Sequence, residues 1–252
     1  MPKKYRKLLK RIKRLEKRLT RLEVAGQKLS GKRKKHKKRE ISATPVEDAL
    51  AYANKKLGYD LRERVPGFET RYADLQSLIS MHGERARRQM PVIHWREVKR
   101  LQRALADGHL DIRAPFNEHI AKLTGRHPTK FDDLELAEQW RTSGLHDGAL
   151  HDDKVDAELV RVAVSELTPI QAEIFFKKVV KKYRKHGLPR RNGVMHEKPL
   201  VISRDNEIID GHHRFATLYL VDPDIEVAAL RVDIRTDRLL RISRSYGASL
   251  LQ

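Results

Sequence analysis

The stretch Lys198-Pro199-Leu200-Val201-Ile202-Ser203-Arg204-Asp205-Asn206-Glu207-Ile208-Ile209-Asp210-Gly211-His212-His213-Arg214-Phe215-Ala216 decides how this chain is read. Lys198 to Ser203 reads as a strand, and Arg204-Asp205-Asn206-Glu207 carries the chemistry of a hairpin turn. Ile208 and Ile209 give a second short apolar run. Phe215, Ala216, Leu218, Tyr219 and Leu220 then recur at helical spacing. Asp210-Gly211-His212-His213-Arg214 therefore falls where a strand passes into the first turn of a helix. Helix starts expose unpaired N–H groups and a partial positive charge, which favour anions. Glycine admits close approach to the backbone, and the Arg214 fork matches phosphate oxygens. The residues describe a phosphate cradle holding two imidazoles. The plain alternative is a charged corner with surface histidines.

On the C-terminal side, Glu226 to Asp233 reads as a strand, and Leu239 to Leu251 as a weakly apolar segment that packs back. On the N-terminal side lies the basic loop Pro189-Arg190-Arg191-Asn192-Gly193. Before it, Thr168-Pro169 with Gln171 reads as a helix start. The helix expected over Ile170 to His186 buries Ile174, Phe175, Val179, Val180 and Tyr183. Its outer face is Lys177, Lys178, Lys181, Lys182, Arg184 and Lys185, and Gly187 stops it. Ala157 to Val164 is apolar with embedded charges. His146, Asp147, His151, Asp152 and Asp153 have ligand-type side chains, but a polar linker is the preferred reading.

Residues 41–140 read as mainly helical. Thr44-Pro45-Val46-Glu47 is a capping box with proline at the first helical position, and it opens a helix over 43–58. A second helix is expected from Tyr72 to Arg88. A third runs from His94 to Ala106, with Trp95, Val98, Leu101 and Leu105 on one side. Met90-Pro91-Val92-Ile93 and Leu110-Asp111-Ile112 read as short extended segments. Phe116 to Leu123 and Leu134 to Trp140 are weaker helical stretches. No catalytic constellation is visible in this half.

Charge separates a third region. The chain of 252 residues carries +20, of which residues 1–40 hold +16 and the rest +4. Tyr5, Leu8, Ile12, Leu15, Leu19 and Leu22 make a heptad seam on an otherwise Lys/Arg helix, a surface for another chain. The block Lys32, Arg33, Lys34, Lys35, His36, Lys37, Lys38, Arg39 favours nucleic acid over an acidic protein, a lipid surface or a merely solubilising arm, since each neutralised phosphate releases counterions. It has no interleaved aromatics, so base readout is not expected. The expected organisation is a basic helical arm at 1–40, a mainly helical region at 41–150 and a mixed α/β domain at 155–252, an α+β chain.

Cysteine is absent, which excludes disulfides, thiolate metal sites and cysteine nucleophiles. No stretch approaches the roughly 18 apolar residues of a membrane span. The basic N-terminus lacks the apolar core of a secretory signal. A cytoplasmic protein with no membrane partner is the expectation.

The order helix, basic loop, strand, turn, strand, Asp-Gly-His-His-Arg, helix, strand resembles the ParB/sulfiredoxin superfamily over about residues 160–235. Leu167-Thr168-Pro169-Ile170-Gln171, Lys198-Pro199-Leu200-Val201 and Ile209 to Ala216 carry the likeness. The resemblance implies that Asp210, Gly211, His212, His213 and Arg214 bind nucleotide phosphates. In ParB-type partition proteins the turn reads Gly-Glu-Arg-Arg and helps hold CTP with magnesium. Here Gly211 and Arg214 match it, while His212 and His213 replace the glutamate and an arginine. Sulfiredoxin has its catalytic cysteine at the place of His212. Free-serine kinases have Asp-Gly-His-His-Arg as here, with a glutamate base near the domain start, a role Glu173 or Glu166 would fill.

The implied cofactor is ATP, ADP or CTP with Mg2+, the metal on Asp210 directly or through water. His212 or His213 would donate to a phosphate oxygen or relay a proton. Lys198 reads as an exposed lysine. The first functional expectation is a ParB-like nucleotide- or phosphate-binding protein held to nucleic acid by its arm. The others are a phosphotransferase and, because ParB-like domains are widespread in phages, a non-catalytic virion or packaging protein.

Overall fold

The computed structural model describes residues 45–82, 87–113, 140–146, 152–190 and 197–250. Within these, seven α-helices and a five-stranded mixed sheet form an α+β fold. The strands are β1 (Ala157–Ala163), β2 (Thr168–Pro169), β3 (Leu200–Ser203), β4 (Glu207–Asp210) and β5 (Glu226–Val232). The helices are α1 (Pro45–Leu57), α2 (Leu61–Arg64), α3 (Phe68–His82), α4 (Val98–Ala106), α5 (Phe176–His186), α6 (His212–Tyr219) and α7 (Thr236–Leu250).

The sheet order is β1-β5-β3-β4-β2. β3 and β4 form the expected antiparallel hairpin, turned by Asn206 in the left-handed region at φ +61°. β5 runs parallel to β3, reached through α6, and β1 closes that edge antiparallel. β2 lies parallel to β4 at the other edge.

The central strands read as unbroken apolar runs because both faces of the sheet are covered. Side chains alternate with period two. Leu200, Ile202, Ile208, Val227 and Ala229 enter one core with residues of α1, α2, α3, α5 and α6. Val201, Ile209, Leu230 and Val232 enter the other with residues of α4 and α7. Helices of the 41–150 region and strands of the 155–252 region thus share both cores, and Val46–Gln252 clusters as one compact unit. Polar ties join them too. Arg71 Nε donates to the Leu220 carbonyl at 3.1 Å, and Gln102 Nε2 to the Ala157 carbonyl at 2.9 Å.

Several expectations are corrected. Thr168–Pro169 is a strand, and the helix expected from Ile170 begins only at Phe176. The helix expected at Tyr72 starts at Phe68, and Asp60 caps the extra turn α2, accepting from Arg62 N. The stretches 90–93 and 110–112 form no strand. The helix expected from His94 is a 3-10 turn over Trp95–Glu97 followed by α4. Val98, Leu101 and Leu105 are buried as expected, but Trp95 is 37 % exposed. The weakly apolar C-terminal segment is a fifteen-residue helix whose Ser243, Ser245, Gly247 and Ser249 are buried. These small residues allow close packing: a Cβ on Gly247 would lie 2.8 Å from the Val92 carbonyl oxygen.

The arm, its seam and Lys32 to Arg39 lie outside the described residues, as do Thr44, Phe116 to Leu123, and Asp147 to His151. Among the described residues no group of three His, Asp or Glu is placed to hold a metal, and no helix is long and apolar enough to cross a membrane.

Candidate functional site

The β4–α6 corner is built as the sequence reads. Gly211 occupies the N-cap position at φ +112°, a conformation that side chains rarely adopt. A Cβ there would also lie 2.3 Å from Leu200 Cδ2, so β3 leaves no room for one. The corner brings Asp210, His212, His213 and Arg214 around a cavity of about 110 Å³, which Arg87, Met90, Gln171 and Lys182 complete.

The two imidazoles play different parts from those of free ligands. His212 is 3 % exposed, and its Nε2 accepts from the backbone N–H of both Ile170 and Gln171 at 3.2 Å. An acceptor nitrogen cannot carry the proton, so His212 is neutral with its proton on Nδ1. Burial first, then His213 and Arg87, depress its pKa to about 3. His213 is half-buried, and its Nε2 accepts from Phe175 N at 3.2 Å. Its ring stacks on Phe175 at 6.1 Å and 3°. Burial, with Lys178, Arg87 and Lys182 nearby, lowers its pKa to about 4. In each ring the nitrogen needed to take a proton is already bonded to backbone.

These bonds explain the late start of α5. The first N–H groups of a helix need partners. Here the histidines take the N–H groups of Ile170, Gln171 and Phe175, and Thr168–Pro169 is drawn into the sheet beside β4. The chain is held in non-helical form up to Phe175, which is 47 % exposed instead of buried.

Arg214 is likewise engaged. Its Nη1 donates to the carbonyls of Lys198 and Pro199 at 2.8 Å, and its Nη2 to Asp210 Oδ2 at 3.2 Å. Three of the five donors of the guanidinium are thus used, two tying α6 to the start of β3 and one to the end of β4. The Asp210 and Arg214 side chains are only 15 % and 11 % exposed. Burial raises the Asp210 pKa, against the pull of Arg214, Arg87 and the Ile93 N–H. Burial likewise lowers that of Arg214, against Asp210.

This donor set does not fit a metal held by the protein. Asp210 is the one carboxylate lining the small cavity, and it is already bonded to Arg214. Magnesium sites usually use one or two carboxylates left open to the ion, with substrate phosphates and water completing the shell. Glu173, expected as a base, is exposed and lines neither this cavity nor its larger neighbour. Glu166 is exposed as well.

A larger cleft of about 810 Å³ adjoins the corner and shares Lys182 and Arg214 with it. Its wall includes the turn His94–Glu97, which comes from the helical half. Lys198, Arg96, Arg100 and Arg141 also line it, while its carboxylate Glu97 lies 3.8 Å from Arg100. Across both cavities seven Lys and Arg side chains meet two carboxylates. The crowding is felt: burial, then Arg214 and Lys198, lowers the pKa of Lys182, with Asp210 acting the other way.

Sequence reading missed Arg87, Lys182 and Trp95 as site residues and undervalued Lys198. Lys182 carried a signal, since it lies three residues after Val179 and just before Tyr183, on the margin of the buried stripe. Arg87 and Trp95 carried none, because the elements that bring them here are far away in sequence. A scan of protein-family models and searches of curated proteins and of solved structures find no match for the chain.

Proposed function

We propose that this chain is a nucleotide- or phosphate-binding protein whose basic arm, residues 1–40, associates with nucleic acid. The observation that carries the reading is the cationic surplus of the paired cavities, where seven Lys and Arg side chains, Arg87, Lys182, Lys198 and Arg214 among them, meet two carboxylates, each already paired. Cations forced together in a partly buried cleft gain most from an anion that bridges them. The strand–turn–strand–Gly–helix order supports a ParB/sulfiredoxin-like module, and the net charge of the arm supports the nucleic-acid contact.

The reading is binding and not transfer. The Nε2 atoms of His212 and His213 accept backbone hydrogen bonds, and Glu173 lines neither cavity. Among the described residues the expected proton acceptors are thus either bonded to backbone or away from the cavities.

The test is isothermal calorimetry on the full chain with ATP, ADP, CTP and inorganic triphosphate, each with and without Mg2+. Binding is expected, and Lys182→Ala is expected to weaken it about tenfold, the loss of one hydrogen bond to a charged group. Lys182 makes no tie that the fold requires, whereas Arg214→Ala would loosen β3 and confuse the result. Silence of the intact protein toward all four ligands would falsify the reading. For the arm, deletion of residues 1–40 is expected to remove most salt-sensitive DNA binding. Unchanged affinity at low salt after that deletion would sink this part alone.

A further inference from the structure

We infer that the ligand of this cleft carries a nucleobase, which stacks on Trp95 while its phosphates lie against Lys182, Lys198 and Arg214. The inference rests on the phosphate reading above and supplies the other half of the ligand.

Trp95 belongs to neither hydrophobic core and is 37 % exposed, yet it lines the 810 Å³ cleft. A large aromatic ring left in the wall of a cavity offers a flat apolar face with no partner in the core. The ring is nonetheless held in place. His94 caps its turn, Nδ1 accepting from Arg96 N at 3.3 Å, and the His94 ring lies 5.7 Å from that of Trp95. Behind the turn, the backbone of Val92 sits against Gly247 of α7.

The charges around the ring complete the argument. Lys198 Nζ lies 5.5 Å and Arg96 Cζ 5.3 Å from the Trp95 ring centroid. A cation over an exposed ring is a weaker partner than a stacked base. When a base takes the ring, Lys198 is displaced toward the same cleft, where the phosphates need it. Lys182 and Arg214 continue into the 110 Å³ cavity, which takes the terminal phosphate beside Gly211. The volume of the main cleft, about 810 Å³, lies inside the 300–1,000 Å³ range of small-ligand sites, which favours a mononucleotide over a polymer.

The experiment compares ATP and CTP with inorganic triphosphate, by calorimetry on the full chain and on Trp95→Ala and Trp95→Phe. The nucleotides are expected to bind about tenfold or more tightly than triphosphate, the gain from stacking one base on an aromatic ring. Trp95→Ala removes that advantage and leaves triphosphate affinity unchanged, while Trp95→Phe keeps part of it. In a Trp140→Phe background, where Trp95 is the one tryptophan, nucleotides are expected to quench its emission and triphosphate is not. Equal affinity for nucleotide and triphosphate in the native chain overturns the inference but leaves the phosphate reading standing. So does a Trp95→Ala variant that loses both ligands alike. A short single-stranded oligonucleotide that displaces nucleotide and binds more tightly would overturn the mononucleotide form. Binding of neither ligand removes both the inference and the reading beneath it.

Discussion

The β4–α6 corner and the segment Leu167–Phe176 meet side by side, and they answer to different forces. The corner is decided locally: a strand ends, Gly211 takes a left-handed turn and a helix follows. The segment is decided from outside, by imidazoles 38 to 42 residues further along the chain that capture its N–H groups. Its own residues would have made a helix from Ile170. The lesson is that a motif can engage its reactive side chains in shaping its neighbour, which leaves the free charges and ring of the paired cavities to residues around it. Here these are Lys182, Lys198, Arg87 and Trp95.

The sharpest way to break this comparison is His212→Ala. Two buried N–H groups would lose their acceptor at 1–3 kcal/mol each, so a destabilisation of about 3 kcal/mol or more is expected in urea unfolding. A loss below 1 kcal/mol would mean that the segment holds its shape unaided. Next comes Gly211→Ala. Its φ of +112° and the 2.3 Å approach to Leu200 predict about 2–3 kcal/mol, read as a lower thermal midpoint. A neutral result would show that the corner yields where it is described as rigid.

Acid should act through the same bonds. The folded pKa values of His212 and His213, about 3 and about 4, lie below the ordinary value of 6.5. The unfolded chain therefore binds protons first as pH falls. The histidine contribution is fully present above pH 6.5 and is lost progressively below it, down to those folded values. The slope expected from His212 is roughly 1.4 kcal/mol per pH unit. Unfolding measured between pH 7 and pH 4.5 checks this, and a flat profile would show the rings to be protonated in the fold. The smallest effect is expected for His213→Ala. One half-buried acceptor and one ring contact are lost, at about 1 kcal/mol. If it cost as much as His212→Ala, the ranking of buried over half-buried anchor would be reversed.

What could be read in the sequence follows the same division. Leu200 to Ile202, Asn206 in its turn, Ile208, Ile209, Gly211 and the α6 stripe are local signals, and each is where it was expected. α1 over Pro45–Leu57, ended at Gly58, and the stop of α5 at Gly187 also lie where expected. Phe175 and Trp95 were misplaced because their periodicity matched a helix that tertiary hydrogen bonds and a 3-10 turn cut short. α7 was undervalued because Ser243, Ser245 and Gly247 bury themselves by being small, a packing role that apolarity does not report. The site was half legible. The turn was visible, but the cations beside it depend on how α5 and residues 87–97 fold against it.

The contact between Gly247 and Val92 gives the C-terminal helix a say in the shape of the cleft. Gly247 does not itself line the cleft, but it packs against Val92, which does, and so sets how near residues 92–97 can approach α7. Enlarging that one position would force the backbone at Val92, and with it the wall that carries Trp95, to shift. The width of the opening is thus adjustable from behind, together with Arg96 on the same turn.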